Sequence, residues 1–170
     1  MTSFETKLPL TDEQLKQIGR ITANFSFLEF VLSFCICGLI NDDQRVGQII
    51  TSQMSFQNLV HLLGSLFKHR GFDAEKITAF DKLLGEAMQI EQRRNEITHS
   101  IWATHQDEGK SSRVKITARF KKGFEMQWEP MGVDELKQIA DSITNVAHKI
   151  QYFTIETMTN ISFENEKPQK

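Results

Sequence analysis

The chain is expected to be all-α: an up-and-down helical bundle of four to five helices, with a small β-hairpin inserted before the last helix. Three observations predict this. Apolar residues return every three or four positions through most of the sequence. Thr, Ser and Asp residues suited to capping stand ahead of those runs. Only residues 113–129 switch to a two-residue alternation. At 170 residues the chain reads as one domain, 1–163, long enough to bury a core, with a charged, disordered tail at 164–170. The net charge of −2 gives no overall basic field, so any contact with phosphate must come from local placement.

Thr11-Asp12-Glu13-Gln14 is a capping box, and a first helix should run from it to about Ile40. Leu15, Ile18, Ile21, Phe25, Leu28, Leu32, Ile36 and Leu39 keep helical spacing. Phe27, Phe30, Val31, Phe34 and Cys37 add a second apolar side, to be covered either by the chain's other helices or by a second subunit. The run Phe25 to Ile40 is shorter than the about 20 apolar residues of a membrane span, and Glu29 interrupts it, so it reads as a buried helix. Residues 1–9 carry Glu5 and Lys7 and do not resemble a secretory signal. Cys35 and Cys37 look like core filling, which fits a reducing, cytoplasmic location.

Asn41-Asp42-Asp43 should end the first helix and cap a short one carrying Val46, Ile49 and Ile50. Ser55 caps a third, from Phe56 to Phe67, and Arg70-Gly71 stops it. Lys68, His69 and Arg70 suit the negative end of its dipole. Asp73 caps a long helix expected to reach Ala103, followed by a loop at His105 to Lys110. In the hairpin, Val114, Ile116, Ala118, Phe120, Phe124, Met126 and Trp128 form an apolar face around a Lys121-Lys122-Gly123 loop. That register sets Arg119 opposite Glu125 and Lys115 opposite Glu129, so most of the basic stripe is matched and a structural hairpin is favoured over an RNA-binding ribbon. Arg113, Lys121 and Lys122 stay unmatched and are the candidate RNA-binding residues. A last helix, opened by Val133-Asp134-Glu135, should run about seven turns.

The long helix breaks its own pattern near its end. On a wheel of about 100° per residue, Ile77, Phe80, Leu84, Ala87, Ile90 and Ile97 share an apolar arc. Glu91, Arg94, Asn95 and Thr98 fall inside that arc, with His99 at its edge and Arg93 on the solvent side. Buried polar groups are costly unless paired, so this cluster is the candidate functional site. Glu29 lies in the apolar stripe of the first helix and also needs a partner. Either Glu29 or Glu91 is expected to hold the Arg94 side chain. Inward Arg and His without an acid cluster suit phosphoryl chemistry. His moves protons near neutral pH, and Arg stabilises charge on a pentacoordinate phosphate.

Arg94-Asn95-x-x-x-His99, late in a long helix of a helical chain, resembles the R-x(4–6)-H motif of HEPN-superfamily ribonucleases. In that family a polar residue, often Asn, follows the Arg. The resemblance implies a homodimer with the two motifs facing one composite cleft, no metal and no cofactor. It implies RNA cleavage by the adjacent 2′-hydroxyl, leaving a 2′,3′-cyclic phosphate and a 5′-hydroxyl. His99 would be general base or acid, Arg94 would stabilise the transition state, and Asn95 would orient the phosphate or His99. Glu29, Glu91 and Thr98 would support them. Such proteins are often toxins or antiviral-defence effectors with an antitoxin or defence-system partner, and none of this calls for a membrane. Many toxin members carry Tyr two residues after the His, whereas here that position is Ile101, followed by Trp102. A non-catalytic, HEPN-like helical module for dimerisation or for binding nucleotide or protein is the alternative.

Overall fold

The computed structural model describes residues 9–40, 44–104, 111–119 and 123–165. Among the described residues, five helices and three strands follow in order: α1 (Asp12–Ile40), α2 (Gln44–Thr51), α3 (Phe56–His69), α4 (Ala74–Thr98), β1 (Ile101–Thr104), β2 (Ser111–Arg119), β3 (Gly123–Pro130) and α5 (Val133–Asn165). The fold is thus mostly helical with one small antiparallel sheet, in the order β1-β2-β3. Residues 41–43, 105–110 and 121–122, to which the sequence assigned a cap, a loop and two cations, lie outside the described residues. The same holds for 166–170 of the expected tail, whereas Glu164 and Asn165 end α5.

Caps set three of the helix starts. Thr11 and Gln14 bond reciprocally, N–H of Thr11 to Oε1 of Gln14 at 2.9 Å and N–H of Gln14 to Oγ1 of Thr11 at 3.2 Å. Ser55 accepts from the Asn58 amide at 3.3 Å, and Asp73 from the Lys76 amide at 2.8 Å. That amide bond holds the Asp73 carboxyl below its ordinary range. At the end of α3, Gly71 turns the chain with φ 76°. Lys68 and His69 stand in the last turn of α3, and Lys68 and Arg70 also reach other helices. The Arg70 guanidinium caps α1 by donating through Nε to the Leu39 carbonyl at 2.7 Å, and Lys68 pairs with Asp81 at 2.9 Å.

Cross-helix contacts give the directions. Gln14 donates to the Met131 carbonyl, Arg20 pairs with Asp141, the Phe27 ring meets His148, and Gly38 lies beside Met158, so α1 and α5 run the same way. α4 runs against α3, through Lys68–Asp81 and Gly64 beside Leu84, and against α5, through Arg93–Glu135 and Lys149–Glu86. α2 returns along the end of α1. A Cβ on Gly47 would stand 2.9 Å from Cβ of Cys37, so only glycine lets the two helices approach this closely. Ile21, Leu28, Leu32, Ile36, Leu63, Ala87, Leu136, Ile143 and Ile150 fill the core. At one end of it Phe67 stacks on Phe72 and Phe80, with ring centroids 4.2 and 4.1 Å apart. Both cysteines are buried, and burial pushes the Cys35 thiol up to about 11. By length and composition α1 is apolar enough to cross a membrane; in this fold its inner residues pack against α3, α4 and α5.

Two expectations about the last third are corrected. α4 ends at Thr98 rather than Ala103, because residues 101–104 form β1 and turn the expected hairpin into a three-stranded sheet. The β2–β3 register differs by two residues. Arg113 faces Glu129, Lys115 faces Gln127 and Arg119 faces Gly123, because Gly123, at φ 75°, is the first residue of β3 and not the last of the loop. An even shift keeps each face intact. The polar face, with Arg113 and Glu129, turns toward α4, while Ile101, Ile116, Phe124, Met126 and Trp128 on the apolar face are exposed. On the second side of α1, Val31 and Cys37 are buried, and Phe27, Phe30 and Phe34 are exposed.

Candidate active site

The last turns of α4, the start of α3 and the polar face of β2 enclose an open cleft of about 650 Å³. Gln89, Gln92, Asn95, Glu91, Glu96 and His99 line it from α4, Gln57 from α3, and Arg113 and Lys115 from β2. His99 is the C-cap of α4. Its amide donates to the Asn95 carbonyl at 3.1 Å, and its ring is exposed, with no hydrogen-bond partner among the described residues. An imidazole so placed meets whatever enters the cleft from solvent.

Arg94 points the other way round the helix, toward α1. Its guanidinium lies 4.4 Å above the centre of the Phe25 ring, a cation–π contact. Nη1 donates to Oδ1 of Asn95 at 2.8 Å, and Nε is buried without a partner. The Asn95 side chain therefore joins the two halves of the motif: its oxygen accepts from Arg94, while its residue lines the cleft beside His99. Thr98 supports this turn locally by donating to the Arg94 carbonyl at 3.0 Å.

The expected ion pair on Arg94 does not form. Neither Glu29 nor Glu91 comes within salt-bridge distance of it among the described residues. Glu29 still feels the cation. Burial pushes its carboxyl up, the Arg94 charge pulls it part of the way back, and the Glu91 charge adds to the rise. The wheel placed Glu29 in the correct sector of α1, near enough for Arg94 to act on it by charge, but the guanidinium rests its face on the Phe25 ring and gives its Nη1 to Asn95. Glu91 instead lines the cleft.

Arg113, expected to be a free cation for RNA, is only 3% exposed. It pairs with Glu96 through Nη1 at 3.2 Å and with Glu129 through Nη2. The Arg113 bond holds the Glu129 carboxyl below the ordinary carboxylate range. This neutralised group cannot serve as a phosphate cation without breaking two ion pairs. Lys121 and Lys122 are outside the described residues. The cleft cation that sequence reasoning missed is Lys115. It is exposed, and with Gln127 across from it rather than Glu129 it carries no ion pair among the described residues. The correct register would have identified it. The amides Gln57, Gln89 and Gln92 were missed as well, since polar residues on a solvent face carry no signal in sequence. Among the described residues, no group of three or more His, Cys, Asp or Glu side chains is placed to share a metal ion.

No protein-family model, no curated protein and no solved structure matches the chain.

Proposed function

We propose that the chain is an RNA endonuclease of the HEPN type, an up-and-down helical bundle that works as a cytoplasmic homodimer with a composite cleft. One observation carries this reading. Asn95 ties a half-buried guanidinium to the cleft on which the His99 imidazole opens, within a six-residue span at the end of one helix. His99 takes the proton from a ribose 2′-hydroxyl. The 2′-oxygen bonds to the adjacent phosphorus, and the bond from phosphorus to the 5′-oxygen breaks. The leaving oxygen takes a proton from an imidazolium, the partner copy's in a dimer. The products are a 2′,3′-cyclic phosphate and a 5′-hydroxyl, and no metal takes part. Arg94 lends positive potential to the pentacoordinate phosphate, Asn95 offers its amide N–H groups to a phosphate oxygen, and Lys115 draws the backbone in. A role as toxin or antiviral-defence effector, held in check by an antitoxin or defence-system partner, fits this chemistry.

A second reading has its own observation. The cleft sets Glu91 and Glu96 against Lys115 and Arg113, and Arg94 does not line it, as suits a non-catalytic binding or dimerisation module. One experiment separates the two. The protein is incubated with total RNA and a chelator, beside His99→Ala and Arg94→Ala. Cleavage that survives the chelator, yields cyclic phosphate ends and disappears in both folded variants supports the enzyme. Intact RNA in all three samples, with RNA or a second copy still bound, supports the module.

A further inference from the structure

His99 and Ser100 are all that separates the last turn of α4 from β1. Such a two-residue corner sets where the imidazole sits. One residue outside it holds both arms. The Arg113 guanidinium reaches Glu96 in the last turn of α4, at 3.2 Å, while the Arg113 backbone is paired with Trp102 of β1. Its second side-chain bond, to Glu129, anchors the guanidinium to β3, which Arg113 also faces in register. Ser100 adds a local tie, its hydroxyl donating to the Glu96 carbonyl.

A buried arginine between two carboxylates is more than the sheet needs for its own stability. A well-packed apolar residue there would serve stability as well or better. Its Nε stays buried and unpartnered, so the side chain is held in this pose at a cost. What the ion pairs add is geometry: a planar fork fixes direction as well as distance.

We propose that Arg113 is a positioning residue that, through Glu96, sets the α4–β1 corner and with it the place of His99 in the cleft; this rests on the ribonuclease reading. Arg113 acts on RNA through His99 and makes no phosphate contact of its own.

The test uses the full chain with Arg113→Lys and Glu96→Gln, made separately and together. The second variant leaves the Arg113–Glu129 pair intact and guards against a failure to fold in the first. Two quantities are read. The first is hydrogen exchange at the His99 and Ser100 amides against amides in the middle of α4. Both single variants should speed exchange at the corner about tenfold and leave the middle of the helix unchanged. The second is kcat and KM on one RNA across a salt series. kcat should fall about 10- to 100-fold with KM within about twofold, the loss in the double variant should match the larger single loss, and the salt slope should not change. Unchanged exchange at the corner overturns the proposal. So does a raised KM with a salt slope lower by about one in Arg113→Lys alone, the mark of a phosphate contact. If the wild type cleaves no RNA, the nuclease reading fails on its own, and the exchange data still decide whether Arg113 holds the corner.

Discussion

Replacing Arg94 with Met separates a structural role from a catalytic one. Met keeps an unbranched stem over Phe25 and removes the charge. The arginine gains about 1–2 kcal/mol from the Phe25 face, since the pair is partly desolvated. Its bond to Asn95, at 2.8 Å, adds about 1 kcal/mol net. Against these stands the buried, unpartnered Nε, which costs about 1–3 kcal/mol. The terms nearly cancel, and Met recovers part of the packing through a sulfur–aromatic contact. Stability of Arg94→Met measured by urea unfolding should lie within about 1 kcal/mol of the wild type. The catalytic expectation is larger. Arg94 does not line the cleft, so it acts through its charge and its hold on Asn95, and losing it should lower kcat about 10- to 100-fold. The assay follows cleavage of a labelled RNA in chelator, at a temperature where both proteins are fully folded. A variant that folds normally and cleaves within about threefold of wild type would refute the assignment of Arg94 to the reaction. A loss of stability above about 3 kcal/mol would show that the fold depends on the Arg94 charge at this site.

Three further outcomes are expected. His99→Ala, at an exposed cap, should change stability by less than about 0.5 kcal/mol in thermal unfolding while abolishing cleavage; a large fall in the melting temperature would count against a mainly chemical role. Glu29→Gln should raise the melting temperature at pH 7. The folded carboxyl is pushed above its ordinary value of 4.5, so ionisation works against the fold as pH rises through that raised value, and the gain should vanish well below pH 4.5; a lower melting temperature at pH 7 would restore an ion pair with Arg94. Gly47→Ala, whose methyl would collide with Cys37, should destabilise by about 1–3 kcal/mol and speed hydrogen exchange in α2 first, whereas unchanged exchange there would mean that α2 does not rely on the close approach.

Local chemistry was legible in the sequence, and long-range pairing was not. Thr11, Ser55 and Asp73 each cap within three residues of themselves, so their roles could be read directly. The end of α4 was misread because Ile97 and Ile101 keep a four-residue spacing across a helix-to-strand junction, and periodicity does not see the break. The apolar alternation in β2 and β3 located the strands, but loop length alone left the register open by two. That slip hid both the Arg113–Glu129 pair and the exposed Lys115. Glu96, the second partner of Arg113, is 17 residues away on another element, beyond any spacing rule. The wheel placed Arg94, Asn95 and Glu29 on the right sectors. It could not foresee that the guanidinium would settle on the Phe25 ring and on Asn95 rather than on an acid.

The two thiols give the molecule a pair of nested clocks. Cys37 is covered by the backbone of Gly47, so lifting one short helix uncovers it. Cys35 is buried among α1 and α5 with its proton held tightly, so an alkylating reagent reaches it only when the long helices part. The interval between the two reactions times how far peripheral opening runs ahead of global opening in this fold.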